Sequence, residues 1–577
     1  MIVVGISAHY HDAACAIFLD GRLVAAAQEE RFTRRRYDAT IPARALRACL
    51  HEIGAGIGDV EHVAYYEDPV ARCDRILSAG TPSAMPPDAG RPLREIRDRL
   101  GYAGPVTTVR HHEAHAASAF YCSGFPDAAV LTADAVGEWA TTSYGSAGPE
   151  GISTFEEVRF PHSLGLLYST LTAYLGFEVN SDENKVMGLA PYGRPTFVAA
   201  LSELIHQLPE GQFELDARYF DFTDPSRMYT DALSDVLGIP PRPPDAPTEG
   251  AHTDVARSLQ VVLEDVLLEK ARHLFRVTGN PRLCYAGGVA LNCVANARIR
   301  QDGPFAEMFV QPAAGDAGGS IGAAALAHHR LTGGFRAERL VDARLGPSYD
   351  TTELAHALQA AGVPFSDHCD DQHGPISQTA DMLAAGAVVG WYQGRMEFGP
   401  RALGARSILA DPRDPGMRDR INDLVKKREA FRPFAPSVAA ERTAEFFDFH
   451  GSSPFMLDTA QVRRPADLPA IAHVDGSARL QTVDAAVDPR FHALLTAFAA
   501  RTGFPILLNT SFNLRGEPIV CTPGDALASF VRCGLDALVI GNLILRAADV
   551  PPFWASAVDQ VAPIRPRGVS GDIYSFG

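Results

Sequence analysis

Apolar runs and short polar breaks alternate through the first thirty residues. "IVVGIS" (2–7) is rich in β-branched residues and predicts a strand, ended by a polar turn from His9 to Asp12. A second run closes on Asp20-Gly21, and a third starts at Arg22. Asp-Gly between two apolar runs predicts a tight hairpin. In "IPARALRACLHEIG", Leu46, Cys49, Leu50 and Ile53 recur at helical spacing, with Pro42 suited to the first turn and Gly54 at the end.

The pattern returns at residues 129–160: strand, acidic turn, strand, Gly-rich turn, strand. Asp134 to Gly137 take the place of His9 to Asp12, so the repeated three-strand meander predicts an internal duplication. Helical patterns fill 163–205, interrupted by the polar "NSDENKVMGLAPYG", and 252–277. Strand-turn-helix units follow at "RLCYAGGVALNCVANARI" and "MFVQPAAGDAGGSIGAAALAHH". An irregular stretch then leads to a new α/β unit, from near Pro375 to near Arg546, and a Pro-, Ser- and Gly-rich tail. The predicted organisation is α/β, with domains at 1–345 and 371–550, a linker at 346–370 and a tail at 551–577.

Composition narrows the function classes. A chain of 577 residues is too long for one core. Its net charge of −17 argues against a nucleic-acid scaffold. The nine cysteines fit neither a disulfide framework nor a zinc ribbon, which points to a reducing, cytoplasmic setting. "MIVVGIS" reads as a strand rather than a leader, and no apolar run is long enough to span a membrane.

Candidate chemistry begins with "HHEAHAASAFY". His111 and His115 lie four apart, so a helix would present both rings on one face, as two ligands of one metal require. Asp134, after an apolar strand, and Asp316, between glycines, are candidate partners. Such an N2O2 set suits Fe(II), Mn(II) or Zn(II) rather than calcium. His112 is left beside the site or in solvent. The turns "YAGGVALN", with Gly287, Gly288 and Asn292, and "GDAGGSIGAA" could present backbone N–H groups to a nucleotide, or could be tight turns that let helix and sheet pack. From Arg395 to Arg432, ten Lys/Arg face six acids, a local +4 that points to an anion site. Asn509, Ser511 and Asn513 end an apolar strand, ready to bond polar ligand atoms.

The ordered set "HHEAHAASAFY", "DENKVMGLAPYG", "YAGGVALN", "FGPRALGARSIL", "REAFRPFAP" and "NTSFNLRGEPI" resembles the NodU/CmcH-type O-carbamoyltransferase family over roughly residues 1–547. The resemblance implies an N-terminal duplicated RNase H-like domain of the actin/sugar-kinase superfamily, similar to the ATPase that passes threonylcarbamoyl groups to tRNA. It implies a C-terminal YrdC-like domain. There carbamoyl phosphate and ATP with Mg would give carbamoyl-adenylate, releasing pyrophosphate and phosphate. An alcohol, by family analogy a sugar or polyketide hydroxyl, would then take the carbamoyl group in the N-terminal domain. The residues it implies for the first step are Arg401, Lys426, Arg432, Arg479, Ser511 and Asn513. It implies iron ligands His111, His115, Asp134 and Asp316. His11, with Asp12 beside it in sequence, is the candidate general base on the acceptor hydroxyl, work that an imidazole near its ordinary pKa suits. Arg36, where the family often has Lys, would meet nucleotide phosphate; Gly287, Gly288 and Asn292 would also line the nucleotide, and Glu183 and Lys185 the acceptor. Nucleic acid and membrane are not expected partners, and the oligomeric state stays open, a homodimer included. Two competing readings are a tRNA threonylcarbamoyl transferase and a non-catalytic ATP-gated clamp.

Overall fold

Strands β1 (Ile2–Ser7), β2 (Ala14–Leu19) and β3 (Arg22–Gln28) form the expected meander. Asp20 (φ 49°) and Gly21 (φ 79°) both take the left-handed backbone that a two-residue hairpin turn needs. The helix Ala43–Glu52 follows, burying Ala45, Leu46, Cys49 and Leu50. Its first turn is capped by Glu29, whose carboxylate accepts the N–H of Arg44 and of Ala45 at 3.2 and 2.8 Å. β4 (His62–Tyr65) and β5 (Val106–Thr108) then add in parallel, giving a sheet of order β3-β2-β1-β4-β5.

The same plan is built again. β6 (Ala128–Ala133), β7 (Ala140–Gly148) and β8 (Gly151–Arg159) form the second meander, and β11 (Arg282–Ala286) and β12 (Glu307–Val310) join β6 in parallel order. A short hairpin, β9 (Ile205–Gln207) with β10 (Phe213–Leu215), stands apart. Equal strand order and equal strand directions bear out the duplication. Matching the strand ends sets Asp134 against Ala8, not His9, so the expected alignment of the two turns is shifted by one residue.

The two sheets exchange their last helices. Helix His111–Ser123, which follows β5, packs on β6 and β11. Helix Asp316–Thr332, which follows β12, packs on β1, β2 and β4. The two helices also pack on each other, and small residues permit it. A Cβ at Gly322 would stand 1.7 Å from the carbonyl oxygen of Ala114, and one at Gly5 would stand 1.8 Å from that of Ser320. The backbones themselves are in contact.

The structure, a computed structural model, describes residues 1–80, 87–224, 227–334, 336, 338–368, 371, 373–426 and 429–554. Met1–Glu29 and Tyr37–Leu340 belong to the unit just described; Glu30–Arg36 and the described residues from Val341 to Trp554 form a second. The second unit is a mixed nine-stranded sheet: β13 (Ser366–Asp367), β14 (Val389–Tyr392), β15 (Arg406–Ala410), β16 (Ala435–Ala439), β17 (Asp458–Gln461), β18 (Ser477–Val483), β19 (Ile506–Ser511), β20 (Ala537–Ile540) and β21 (Leu543–Arg546), in order β13-β21-β20-β14-β15-β19-β16-β18-β17. Helices Gly374–Ala384 and Pro489–Thr502 cover one face, over Trp391, Leu409, Leu507 and Val539. The expected linker at 346–370 is not a bare connection. It holds helix Thr352–Ala360, which buries Leu358, and β13, which pairs with β21. Most of the expected tail lies outside the described residues. Among the described residues no helix is long and apolar enough to cross a membrane, and the eight described cysteines are all free.

Candidate active site

Each expected metal ligand sits where a secondary-structure element begins or ends. His111 and His115 occupy the first turns of their helix, and Asp316 is the first residue of its own. Asp134 follows β6 directly. The carboxylate of Glu138 accepts the backbone N–H groups of His111 and Asp68, each at 2.8 Å, and so fixes the start of the histidine helix. The ring nitrogens Nε2 of His111 and His115 are 3.0 Å apart. Asp134 Oδ2 lies 2.7 Å from His115 Nε2 and 3.3 Å from His111 Nε2, and Asp316 Oδ1 lies 3.7 Å from each. All four residues are buried, and their donor atoms lie within 4.8 Å of one another.

These residues fit a cation. Four ligands at about 2.0–2.2 Å from one ion stand roughly 3–4 Å apart. Two imidazoles and two carboxylates are the donor types that first-row divalent metals take. The charges are matched as well. Burial pushes His115 down, but hydrogen bonds to Asp134 and Asp316 outweigh it and lift the ring to about 9. Burial pushes Asp134 up, and the two imidazoles more than reverse that. His112 differs: burial and its two histidine neighbours drive it well down, and Nδ1 meets Thr132 Oγ1 at 2.6 Å.

Gly287 and Gly288 make room for this cluster. A Cβ at Gly287 (φ 97°) would meet the Ala133 carbonyl at 2.1 Å, and one at Gly288 would meet Asp134 Oδ1 at 2.8 Å. Of the two sequence-level readings of this turn, close packing is the one the contacts fill. Asn292 is also committed. Its Oδ1 accepts the Ala295 N–H as a helix cap at 3.0 Å, and its amide pairs with that of Gln260.

His11 lies in the turn after β1, near enough to Asp316 for that charge to act on it. Its Nδ1 is 3.2 Å from Asp12 Oδ2, and its Nε2 donates to the Asn180 carbonyl at 2.6 Å. Burial pulls the ring down, but Asp12, Asp316 and that carbonyl raise it to about 9. The expected general base therefore holds its proton here, with both nitrogens engaged. Glu183, half-buried, has one carboxylate oxygen tied into the fold. Its Oε1 accepts from Ser169 Oγ and from the Asn180 N–H, each at 2.8 Å. Lys185 pairs with Asp182 at 2.7 Å and lies 5.6 Å from the Phe177 ring centroid. Arg36 is exposed and belongs with the second unit. Its neighbour Arg34 donates to the carbonyls of Ile519 and Pro518 at 2.7 and 2.8 Å.

In the second unit, topology gathers the expected anion site. β15 runs antiparallel to β19, β19 antiparallel to β16, and β16 parallel to β18. The starts of β15, β16 and β18 and the end of β19 therefore share one end of the sheet. Arg401 precedes β15, Arg432 precedes β16, Arg479 is near the start of β18, and Ser511 closes β19. Asn513 stays beside Ser511, accepting its hydroxyl at 2.6 Å. Glu397 binds the loop after Arg401, accepting the N–H groups of Leu403, Ala405 and Arg406 at 2.8, 2.7 and 3.2 Å. The side chain of Lys426, with Lys427 and Arg428, lies outside the described residues.

The local surplus of charge overstates this site. Arg395 donates to the carbonyls of Leu345 and Gly346, Arg406 to those of Gln393 and Gly394, Arg413 pairs with Asp411, and Arg420 with Asp536. Asn509 is 1% exposed and bonded to Ser437 and Gln481, so it supports the sheet instead of facing a ligand. Sequence reasoning passed over Glu138, Tyr37 and the Asn180 carbonyl. The polar loop "NSDENK" was the only signal for any of them.

Comparison with known proteins matches both halves of the chain. The description "Carbamoyltransferase N-terminus" matches residues 2–79 and 95–325, and "Carbamoyltransferase C-terminus" matches 380–547. An uncharacterized protein of Synechocystis is 43% identical over 95% of this chain and 97% of its own length. The nodulation protein NolNO of Sinorhizobium fredii is 39% identical over 96% of this chain and 82% of its own. The 3'-hydroxymethylcephem-O-carbamoyltransferase of Streptomyces clavuligerus is 30% identical over 93% and 97%. With both halves of the family pattern matched in order, and relatives aligned over nearly the full chain, this protein belongs to the NodU/CmcH-type O-carbamoyltransferase family.

Proposed function

We propose that the chain is an ATP-dependent O-carbamoyltransferase acting in two steps. The observation that carries this reading is the buried His111, His115, Asp134 and Asp316 cluster beside the His11–Asp12 turn, in a chain of this family. In the second unit, a YrdC-like activating domain, Arg401, Arg432 and Arg479 neutralise and align carbamoyl phosphate and the ATP phosphates at the shared strand ends. Lys426 adds a further positive charge, and Ser511 and Asn513 offer hydroxyl and amide groups. Water attacks carbamoyl phosphate and breaks its bond to phosphate, leaving carbamate; a carbamate oxygen then bonds to the α-phosphorus of ATP as the bond from that phosphorus to pyrophosphate breaks.

In the first unit the acceptor hydroxyl oxygen bonds to the carbamoyl carbon while the bond from that carbon to the AMP oxygen breaks. A divalent metal held by His111, His115, Asp134 and Asp316, Fe(II) or else Mn or Zn, would supply Lewis acidity toward carbamoyl or phosphate oxygen. His11 exchanges the hydroxyl proton through Nδ1, on its Asp12 side, while Nε2 stays bonded to the Asn180 carbonyl. Because its ring starts out protonated, it accepts that proton only after losing its own, so transfer should speed up as pH rises through the ring's titration. The acceptor is a sugar or polyketide alcohol, in line with the family.

Incubation with carbamoyl phosphate, ATP, Mg and Fe(II) tests this. Pyrophosphate should appear, and mass spectrometry should find one carbamoyl group gained on a glycosylated or polyketide alcohol. No pyrophosphate under those conditions rules the reading out. Arg432→Ala should abolish pyrophosphate release.

A further inference from the structure

Seven described non-glycine residues have a left-handed backbone, and three of them meet at His11: His9 (φ 72°), Tyr37 (φ 56°) and Asn180 (φ 62°). This conformation strains an L-residue, most of all a bulky one such as tyrosine, and persists only where neighbours enforce it. The neighbours are visible. The His9 N–H donates to the Ala39 carbonyl at 2.7 Å, and the Ala13 N–H donates to that of Asp38 at 3.0 Å. These bonds lace the His9–Asp12 turn to the segment after Tyr37. The Tyr37 ring lies over the His11 ring, centroids 4.3 Å apart and planes inclined by 35°. On the other side, Glu183 holds the Asn180 N–H at 2.8 Å while itself tied to Ser169, and the Asn180 carbonyl, so aimed, takes His11 Nε2 at 2.6 Å.

We infer that Tyr37 and Asn180 are positioning residues of carbamoyl transfer, which clamp the His11 ring in one orientation between an aromatic face and a backbone carbonyl. Held by Asp12 alone, an imidazole can swing about its side-chain torsions. With Asp12 at Nδ1, a carbonyl at Nε2 and a ring across its face, one pose remains. A carbonyl oxygen only accepts, so it also fixes a proton on Nε2. Both clamp residues sit far from His11 in sequence, and no pattern in the chain marks Tyr37. The inference rests on the reading of His11 given above.

The test compares disruptive and conservative variants of the full-length, metal-loaded protein. Tyr37→Ala and Asn180→Val should lower kcat for transfer about 100-fold, the cost of a slightly misplaced group, with KM and pyrophosphate release unchanged. Tyr37→Phe keeps the ring and Asn180→Gly tolerates the backbone, so both should restore transfer. In a His11→Ala background, Tyr37→Ala should cost nothing further. Nitrogen-15 NMR of labelled histidine gives a readout apart from turnover: His11 should show one fixed protonation pattern in the wild type and an averaged one in Tyr37→Ala. Wild-type turnover by Tyr37→Ala, equal loss in Tyr37→Phe, or a further loss in the His11→Ala background overturns the clamp. Should Asn180→Val not fold, Tyr37→Ala decides alone. A wild type with the fixed NMR pattern but no transfer to any alcohol would leave the clamp standing and sink the functional reading instead.

Discussion

The turn after the first strand is six residues long in both sheets of the first unit, 8–13 and 134–139, and the two differ position by position. Where the second copy has Asp134, the first has Ala8; where the second has Gly137, the first has His11; Glu138 matches Asp12. One backbone plan thus places a buried aspartate of the candidate cation cluster in one copy and a histidine ring in the other. They converge. Burial raises the Tyr10 hydroxyl, and the charges of Asp316 and Asp134 raise it further, so the first turn lies within reach of the ligand cluster. On the function proposed, the two turns of the duplicated plan carry different tasks at one centre.

The largest expected effect lies in the second turn. Asp134→Asn should reduce bound metal from about one ion per chain to near none and take transfer below detection. Pyrophosphate release should persist. Elemental analysis with both assays checks this, and retained metal would break the division of labour between the turns. In the first turn, His11→Ala should keep its metal and its pyrophosphate release but lose transfer by about 10²–10⁴-fold. Loss of pyrophosphate release as well would place His11 in both steps.

Smaller effects probe the scaffold common to both copies. Gly322→Ala puts a methyl against the Ala114 carbonyl, which should cost about 1–3 kcal/mol in denaturant unfolding and weaken metal retention, since the two helices carry three of the four ligands. Lys270 tests a feature of the second copy alone. It is buried on helix Gly250–Thr278, donates to the Gln212 carbonyl at 3.1 Å, and is lowered by burial to about 8 from its ordinary 10.5. Between those values the unfolded chain binds the proton and the folded chain does not, so stability should rise with pH from about 8 to 10.5, by at most about 1.4 kcal/mol per pH unit. Lys270→Met should flatten that slope, which thermal melts across the range would detect.

Local pattern made much of this legible. The Asp20-Gly21 hairpin, the repeated meander and the His111–His115 pair each follow from spacing, because turn chemistry and helical period act within a few residues. What spacing could not supply is how each side chain is committed. Arg406 counts as free charge in the sequence, but in the fold it spends its donors on the carbonyls of Gln393 and Gly394. Glu183 reads in the sequence as an acid of the polar loop, and only the fold shows that one of its oxygens holds Asn180. The grouping of the arginines needed strand order, since Arg401 and Arg479 come to one end of the sheet only through the β15-β19-β16-β18 sequence of strands. The stretch at 346–370 read as a link because its short helix and two-residue strand carry too little periodicity to announce themselves.

Helix exchange between the two sheets has a further consequence. Each meander relies on a roof that the other half supplies, so neither half can be cut out and produced as a free-standing domain. Separate fragments should stay insoluble when made singly and regain shape only when mixed. His111 and His115 come from the first half and Asp134 and Asp316 from the second, so two separate halves would have to pair before the four side chains could meet.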